Sequence, residues 1–218
     1  MRTISIKGVG KAKRNPDLVI FNISTNVESK EYAKSIENSN RLVNKLKDEF
    51  EAIGFEKCDI KTTYYNSRPI YQSVEVGVVS KRYERVLEGY VVEHNLKVEF
   101  DLDNDRIDEV INCLKKFENN LTFDINFSVR DCDGMKRDVI VDATRNARFN
   151  AEVLAEASSV KLGDLIKIEY NWVDFNFISS TDFDMSMSYM YDNTSMDFAP
   201  EEIEITDNVS FVWEIKNG

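Results

Sequence analysis

Histidine is all but missing from this chain: among 218 residues there is one, His94. A zinc site needs several nitrogen or sulfur ligands at short spacing, so a single His with no CxxC pair argues against one. Cysteine is scarce too. Cys58, Cys113 and Cys132 are odd in number and widely separated, and they read as reduced thiols rather than a disulfide framework. No apolar run is long enough to span a bilayer as a helix. The residues from Met1 to Gly8 enter an alternating pattern directly, without the apolar core of a signal peptide. The expected location is therefore cytoplasmic, or periplasmic if a leader has been removed. A Gly-rich phosphate loop, a nucleophile elbow and metal-ligand spacing are also lacking. The chain therefore reads as a protein without catalytic residues, and no cofactor is expected.

Positive charge is the other shortage. Lys and Arg number 28 against 39 Asp and Glu, a formal net charge of -11. Such a chain repels nucleic acid and anionic lipid unless its basic residues cluster. The two basic groupings, Lys11 to Arg14 and Lys81 to Arg85, are short and read as solvated loops beside turns. A four-stranded sheet could bind RNA, but an RNP-like aromatic motif is lacking, so no nucleic-acid partner is expected.

What is present is an ordinary globular composition, 42% hydrophobic and 31% charged. Residues 3 to 10 form a short first strand, and Asn15-Pro16-Asp17 marks a turn. Val19, Phe21, Ile23, Thr25 and Val27 then alternate with polar residues, the period of a half-buried strand. Ser29 is placed to cap a helix from Lys30 to about Ile53, which has Ile36, Val43, Leu46 and Phe50 on one stripe. Gly54 stops it.

The stretch from Asp59 to Gln72 is rich in Thr and Tyr and has no Gly. Its Pro69 implies an edge position or a bulge. A turn near Glu75-Val76-Gly77 leads to a return strand from Tyr90 to Phe100. Together they form a β-hairpin arm longer than a core needs, suited to a partner-binding edge or a swapped limb. Tyr64, Tyr65, Pro69, Ile70 and Tyr71 are its candidate interface residues. His94 lies on the return strand among apolar neighbours and reads as a core or interface residue.

Asp101 to Asp105 is a cap-rich turn before a helix with Ile107, Val110, Ile111, Leu114 and Phe117 on one face. A calcium loop is the competing reading, but the central Gly and final Glu are missing. Asn119-Asn120 ends that helix, and Leu121 to Val129 alternate as a clear strand. Residues 17–131 thus read strand–helix–strand–strand–helix–strand, the split βαβ or ferredoxin-like order.

Asp133-Gly134 reads as a turn before a third helix, from about Met135 to Ser158. Its inward face holds Val139, Ile140, Ala143, Ala147, Ala151 and Leu154. A strand follows with Ile166, Ile168, Tyr170 and Trp172 on one face, and its apolar phase slips at Val173, which suggests a bulge. The acidic, aperiodic run from Asp182 to Asp192 carries Met185, Met187 and Met190. Thioethers can hold copper(I), but without Cys or His a loop that is sticky at an assembly surface is the better reading. Ile203, Ile205, Val209, Phe211, Trp213 and Ile215 alternate as the last strand.

The expected fold is α+β: one 1–218 domain with an antiparallel or mixed sheet. A ferredoxin-like βαββαβ core at 17–131 carries the hairpin arm. A C-terminal αββ extension at 132–218 is joined by strand 3–10.

The ordered set Ile6-Lys7-Gly8-Val9-Gly10, Asn15-Pro16-Asp17, Gly54-Phe55, Asp59-Ile60-Lys61-Thr62, Pro69-Ile70-Tyr71, Glu88-Gly89-Tyr90, Leu154-Ala155 and Leu162 to Ile168 resembles the SIMPL family. That bacterial domain of unknown function includes periplasmic immunogenic proteins. The resemblance implies an α/β fold and assembly into homo-oligomers, and it implies no catalytic residue. Members are often exported, whereas this chain shows no signal peptide. Ser159 stands where glycine is common, and the Met-rich run is not a family motif. A non-enzymatic, self-assembling protein is therefore the first functional reading, with a stress- or envelope-related role suggested by the resemblance. A small-ligand binder or an enzyme with a cleft between sheet and helices is the second.

Overall fold

The computed structural model describes residues 2–76, 82–117, 120–181 and 197–217, with only the backbone of residues 75, 76 and 82. It is α+β, with two antiparallel sheets. The strands are β1 (Thr3–Arg14), β2 (Leu18–Ser29), β3 (Lys61–Val76), β4 (Arg82–Asp101), β5 (Leu121–Ser128), β6 (Val160–Glu169) and β7 (Ile203–Asn217). The helices are α1 (Tyr32–Ala52), α2 (Asn104–Lys115) and α3 (Cys132–Ala157). The chain divides into two compact units, one of residues 1–17, 127–180 and 200–218, the other of 18–126 and 181–199.

The second unit contains the sheet β3-β4-β2-β5. This is the ferredoxin-like strand order expected from the sequence of elements. Phe21 and Ile23 of β2, Leu96 and Val98 of β4, and Leu46 and Phe50 of α1 are fully buried. Each such side chain contributes about 1.5–3 kcal/mol, an upper figure because the unfolded chain already hides some surface. α1 buries Ser35 and Ser39 on the same stripe. The small polar residues that interrupt its apolar seam in the sequence thus face inward.

Ser29 is not the N-cap of α1. Glu31 occupies that position without a side-chain cap, and Ser29 Oγ accepts the Glu31 N–H instead. At the far end Gly54 takes φ 89°, the left-handed region that a C′ glycine supplies. α2 starts on Asp103, whose carboxylate accepts the N–H groups of Asp105 and Arg106. Capping is the observed role of that aspartate.

The first unit contains the sheet β1-β7-β6, with α3 packed on it. α3 lies against β1 so closely that a Cβ on Gly8 would sit 2.0 Å from Ala143 O, and one on Gly10 would sit 2.1 Å from Val139 O. The alanine row Ala143, Ala147 and Ala151 is fully buried beside Val209, Phe211 and Trp213. Ala155 continues that row, whereas Leu154, expected inward, is exposed.

Three further expectations change. Asp133-Gly134 is not a turn before α3 but its first turn: Asp131 caps the helix, accepting the Gly134 N–H at 2.8 Å. Lys11 to Arg14 is not a loop but the end of β1. Lys11 and Lys13 both pair with Glu204 at 2.8 and 2.9 Å, and Arg14 bridges Asp131 and Asp138. The two lysines hold the Glu204 carboxyl well down, at about 2. The slip expected at Val173 occurs earlier: the register of β6 shifts between Leu162 and Lys167. After Glu169 the chain leaves the sheet, and Ile166, Ile168 and Trp172 are exposed rather than packed on one inward face.

The approach of β1 to α3 yields a prediction. Gly10→Ala should destabilise the protein by about 1–3 kcal/mol, because the methyl meets helix backbone that cannot step aside. Gly163→Ala, whose new Cβ meets the Glu214 side chain and carbonyl at 3.0 Å, should cost less. Urea denaturation midpoints would show the order, and equal midpoints would refute it.

Candidate interface on the hairpin arm

β4 is twenty residues long, and its two edges are not equally covered. β2 pairs with it from Leu18↔Asp101 to Ser29↔Tyr90 and then stops. β3 continues alongside it from Lys61↔Lys97 to Val76↔Arg82. Beyond Tyr90 the arm is therefore a two-stranded ribbon, and β3 is the outer strand of the sheet along its whole length. The return strand begins at Arg82, well before the expected Tyr90. Gly77, in the expected turn, lies outside the described residues, as do Met185, Met187 and Met190.

The candidate residues fall on this arm. Tyr64, Tyr65, Pro69 and Tyr71 are exposed and Ile70 is half-buried. Pro69 opposes Tyr90 on the outer strand, a place in a sheet where proline is tolerated. The register shifts between Thr62 and Tyr64 and again between Ile70 and Tyr71. Bulges of this kind bend and twist an edge. By strand alternation Tyr71 and Ser73 share one face of the ribbon with their partners Leu87 and Arg85. Arg85 lies over the Tyr71 ring at 5.3 Å. Tyr83 is 72% exposed, and Leu87 is exposed as well. Sequence reading missed Tyr83 and Leu87 because the strand was started too late. Their signal is the set of strand-forming residues Tyr83, Val86 and Leu87 just before Tyr90.

The root of the arm is polar inside. His94 is 8% exposed, opposes both Thr25 and Tyr65, and stands edge-on to the Tyr65 ring at 5.1 Å. Its Nε2 is 2.9 Å from Thr62 Oγ1, and its carbonyl accepts the Thr25 hydroxyl at 3.0 Å. Its Nδ1, like Ser39 Oγ and Ser67 Oγ, is buried without a partner among the described residues. Burial, with Lys47 of α1 adding to it, pushes the imidazole below its ordinary value. The ring is thus held neutral as a wall against which Tyr65 packs. An acid–base role would require a reacting group beside it.

An open cleft of about 620 Å³ lies at the end of α1, between Ile53-Gly54 and Glu109, Cys113 and Lys116 of and just after α2. Arg106 stacks over Phe55 at 4.1 Å and donates to Ile53 O. Burial pushes the Cys113 thiol up, which disfavours the thiolate a nucleophile needs. Among the described residues no helix is long and apolar enough to cross a membrane, a statement that does not touch β-barrels.

The depressed His94 pKa fixes a sign. The unfolded chain takes up a proton more readily than the folded one, so this group's contribution is complete above about 6.5 and declines as pH falls below it. Stability measured by urea from pH 7.5 to pH 5 should fall, and His94→Gln should flatten that slope, a pH window set by the ordinary His value. An unchanged slope in the variant would remove His94 as its source.

The model of the SIMPL family, described as a protein of unknown function (DUF541), matches residues 4–213. The comparison with curated proteins gave no match. A match running from the first strand into the last places this chain in the SIMPL family.

Proposed function

We propose that this SIMPL protein acts by assembling with further copies of itself through the β3–β4 arm, and that it does so without catalysing a reaction. One observation carries the reading: among the described residues the ribbon beyond Ser29↔Tyr90 has no third strand, yet it extends Tyr71, Tyr83 and Leu87 into solvent. A two-stranded hairpin is marginal in water by itself and becomes stable when a third strand or an apolar surface covers it. A second copy supplies both, because the outer edge of β3 presents a row of backbone groups ready to pair. The exposed tyrosines suit such a contact, having large apolar faces and a hydroxyl that tolerates partial wetting.

The arm can be shortened without disturbing the sheet. Ile70 already opposes Gly89, so replacing residues 71–88 with Asn-Gly closes the ribbon by a tight turn at the existing register. Light scattering on the intact chain should give the mass of an oligomer, and the shortened chain should be monomeric with unchanged far-ultraviolet circular dichroism. A monomeric intact chain, or an oligomer that survives the shortening, would refute arm-driven assembly.

A further inference from the structure

The arm rises from a notch of about 200 Å³. Glu28, Ser29 and Lys30 line it at and just after the end of β2, Ile70 lines it from β3, and Glu88, Gly89 and Tyr90 line it from β4. It lies where β2 parts from β4, in line with the edge of β4 that has no partner among the described residues. Tyr32 of α1, 52% exposed, stands edge-on to Tyr90 at 5.4 Å and adds a second aromatic ring beside it.

The two ends of the ribbon carry opposite charge. In the notch two carboxylates, Glu28 and Glu88, stand against the one amine of Lys30. Neither carboxylate is in an ion pair among the described residues, whereas Glu93 and Glu99 of the same β4 hold Arg68 and Lys97. Toward the tip, Arg85 is exposed and lies over the Tyr71 ring at 5.3 Å, and it too has no carboxylate partner among the described residues. Tyr83, two residues earlier on β4 and so on the same face, is 72% exposed. Glu84, between them, belongs to the opposite face. The tip thus presents an aromatic ring and a guanidinium together, and the root presents aromatic surface with two free carboxylates.

We propose that the notch at the arm's root receives the arm tip of a second copy of this chain, with the incoming Arg85 set between Glu28 and Glu88. This rests on assembly through the arm and names the docking site that such assembly uses. Charge complementarity fixes the orientation of a contact and rejects wrong ones. Tip against tip would bring Arg85 onto Arg85, and root against root would bring the carboxylates together. Tip to root is the arrangement that opposes unlike charges. Arginine suits the place, because its planar fork meets carboxylates and its flat face stacks on aromatic rings. Tyr83 travels with it and brings apolar area to the surface formed by Tyr32 and Tyr90.

Charge reversal tests the docking. Light scattering over a dilution series should be run on the full chain, on Arg85→Glu, on Glu88→Arg, on an equimolar mixture of the two, and on the double variant. Each single reversal should weaken association by roughly tenfold or more, because like charges then meet. The mixture and the double variant should regain the mass of the unaltered chain, since both bring unlike charges back together between copies. Both sites are exposed, and circular dichroism should confirm that every variant folds. Single variants that associate as well as the unaltered chain overturn the docking. So does a loss that neither the mixture nor the double variant recovers. Either result leaves arm-driven assembly standing where the chain shortened at residues 71–88 is still monomeric. A monomeric unaltered chain refutes both.

Discussion

Strand pairing on β4 is the constraint from which the second unit follows. A strand of twenty residues must place its backbone groups somewhere, and β2 accepts them only as far as Tyr90. β2 cannot go further, because at Ser29 the chain turns away into α1. A Cβ on Gly89 would lie 2.6 Å from the Ser29 carbonyl, so the two strands are in close contact at the point where they part. Past that point each ribbon strand has one partner among the described residues. The arm is thus what remains of a sheet after one strand has ended, and its exposed edge is built into the topology.

That geometry also explains why the arm's root is polar where the rest of the layer is apolar. Further down β4, Leu96 and Val98 meet Leu46 and Phe50 in a fully buried layer. Closer to the arm the fully buried Val92 is joined inside by Thr25, His94, Ser35 and Ser39. Small or polar side chains there give up hydrophobic stabilisation, and the unpartnered Nδ1 of His94 and Oγ of Ser39 add a desolvation cost. Segments that rearrange on binding are drawn from the low-stability end of a fold.

Much of this was legible in the sequence because period carries burial. The alternation in β2, β5 and β7, the stripe of α1 and the alanine row of α3 each placed an element and its inward face. The element order then led to the ferredoxin-like sheet. Boundaries set by side-chain chemistry were harder to read. Ser29 looks like a cap, but its hydroxyl reaches Glu31 and the helix begins on that residue instead. Gly134 looks like a turn, but Asp131 takes its N–H and the helix starts earlier. Lys11 to Arg14 looks like a loop because carboxylates 117 to 193 residues away, at the cap of α3, within α3 and in β7, are invisible to a local reading.

Asp207 is the instructive omission among candidate site residues. It occupies an inward position of β7, between Ile205 and Val209, and a hydrophobic pattern reads across it as a single fault. A polar residue in register with an apolar row is either tolerated at a sheet's end or given a specific partner, since an unmet buried carboxylate would cost several kcal/mol. β7 is buried on both sides of Asp207, from Ile203 to Trp213, so the first explanation fails and a partner is required. The partner is Tyr170, from the segment that has just left β6. An irregular segment tethered to a strand centre by a buried charge keeps its shape without a ladder of its own. This is how Asn171 is held beside Asn208 and Ser210.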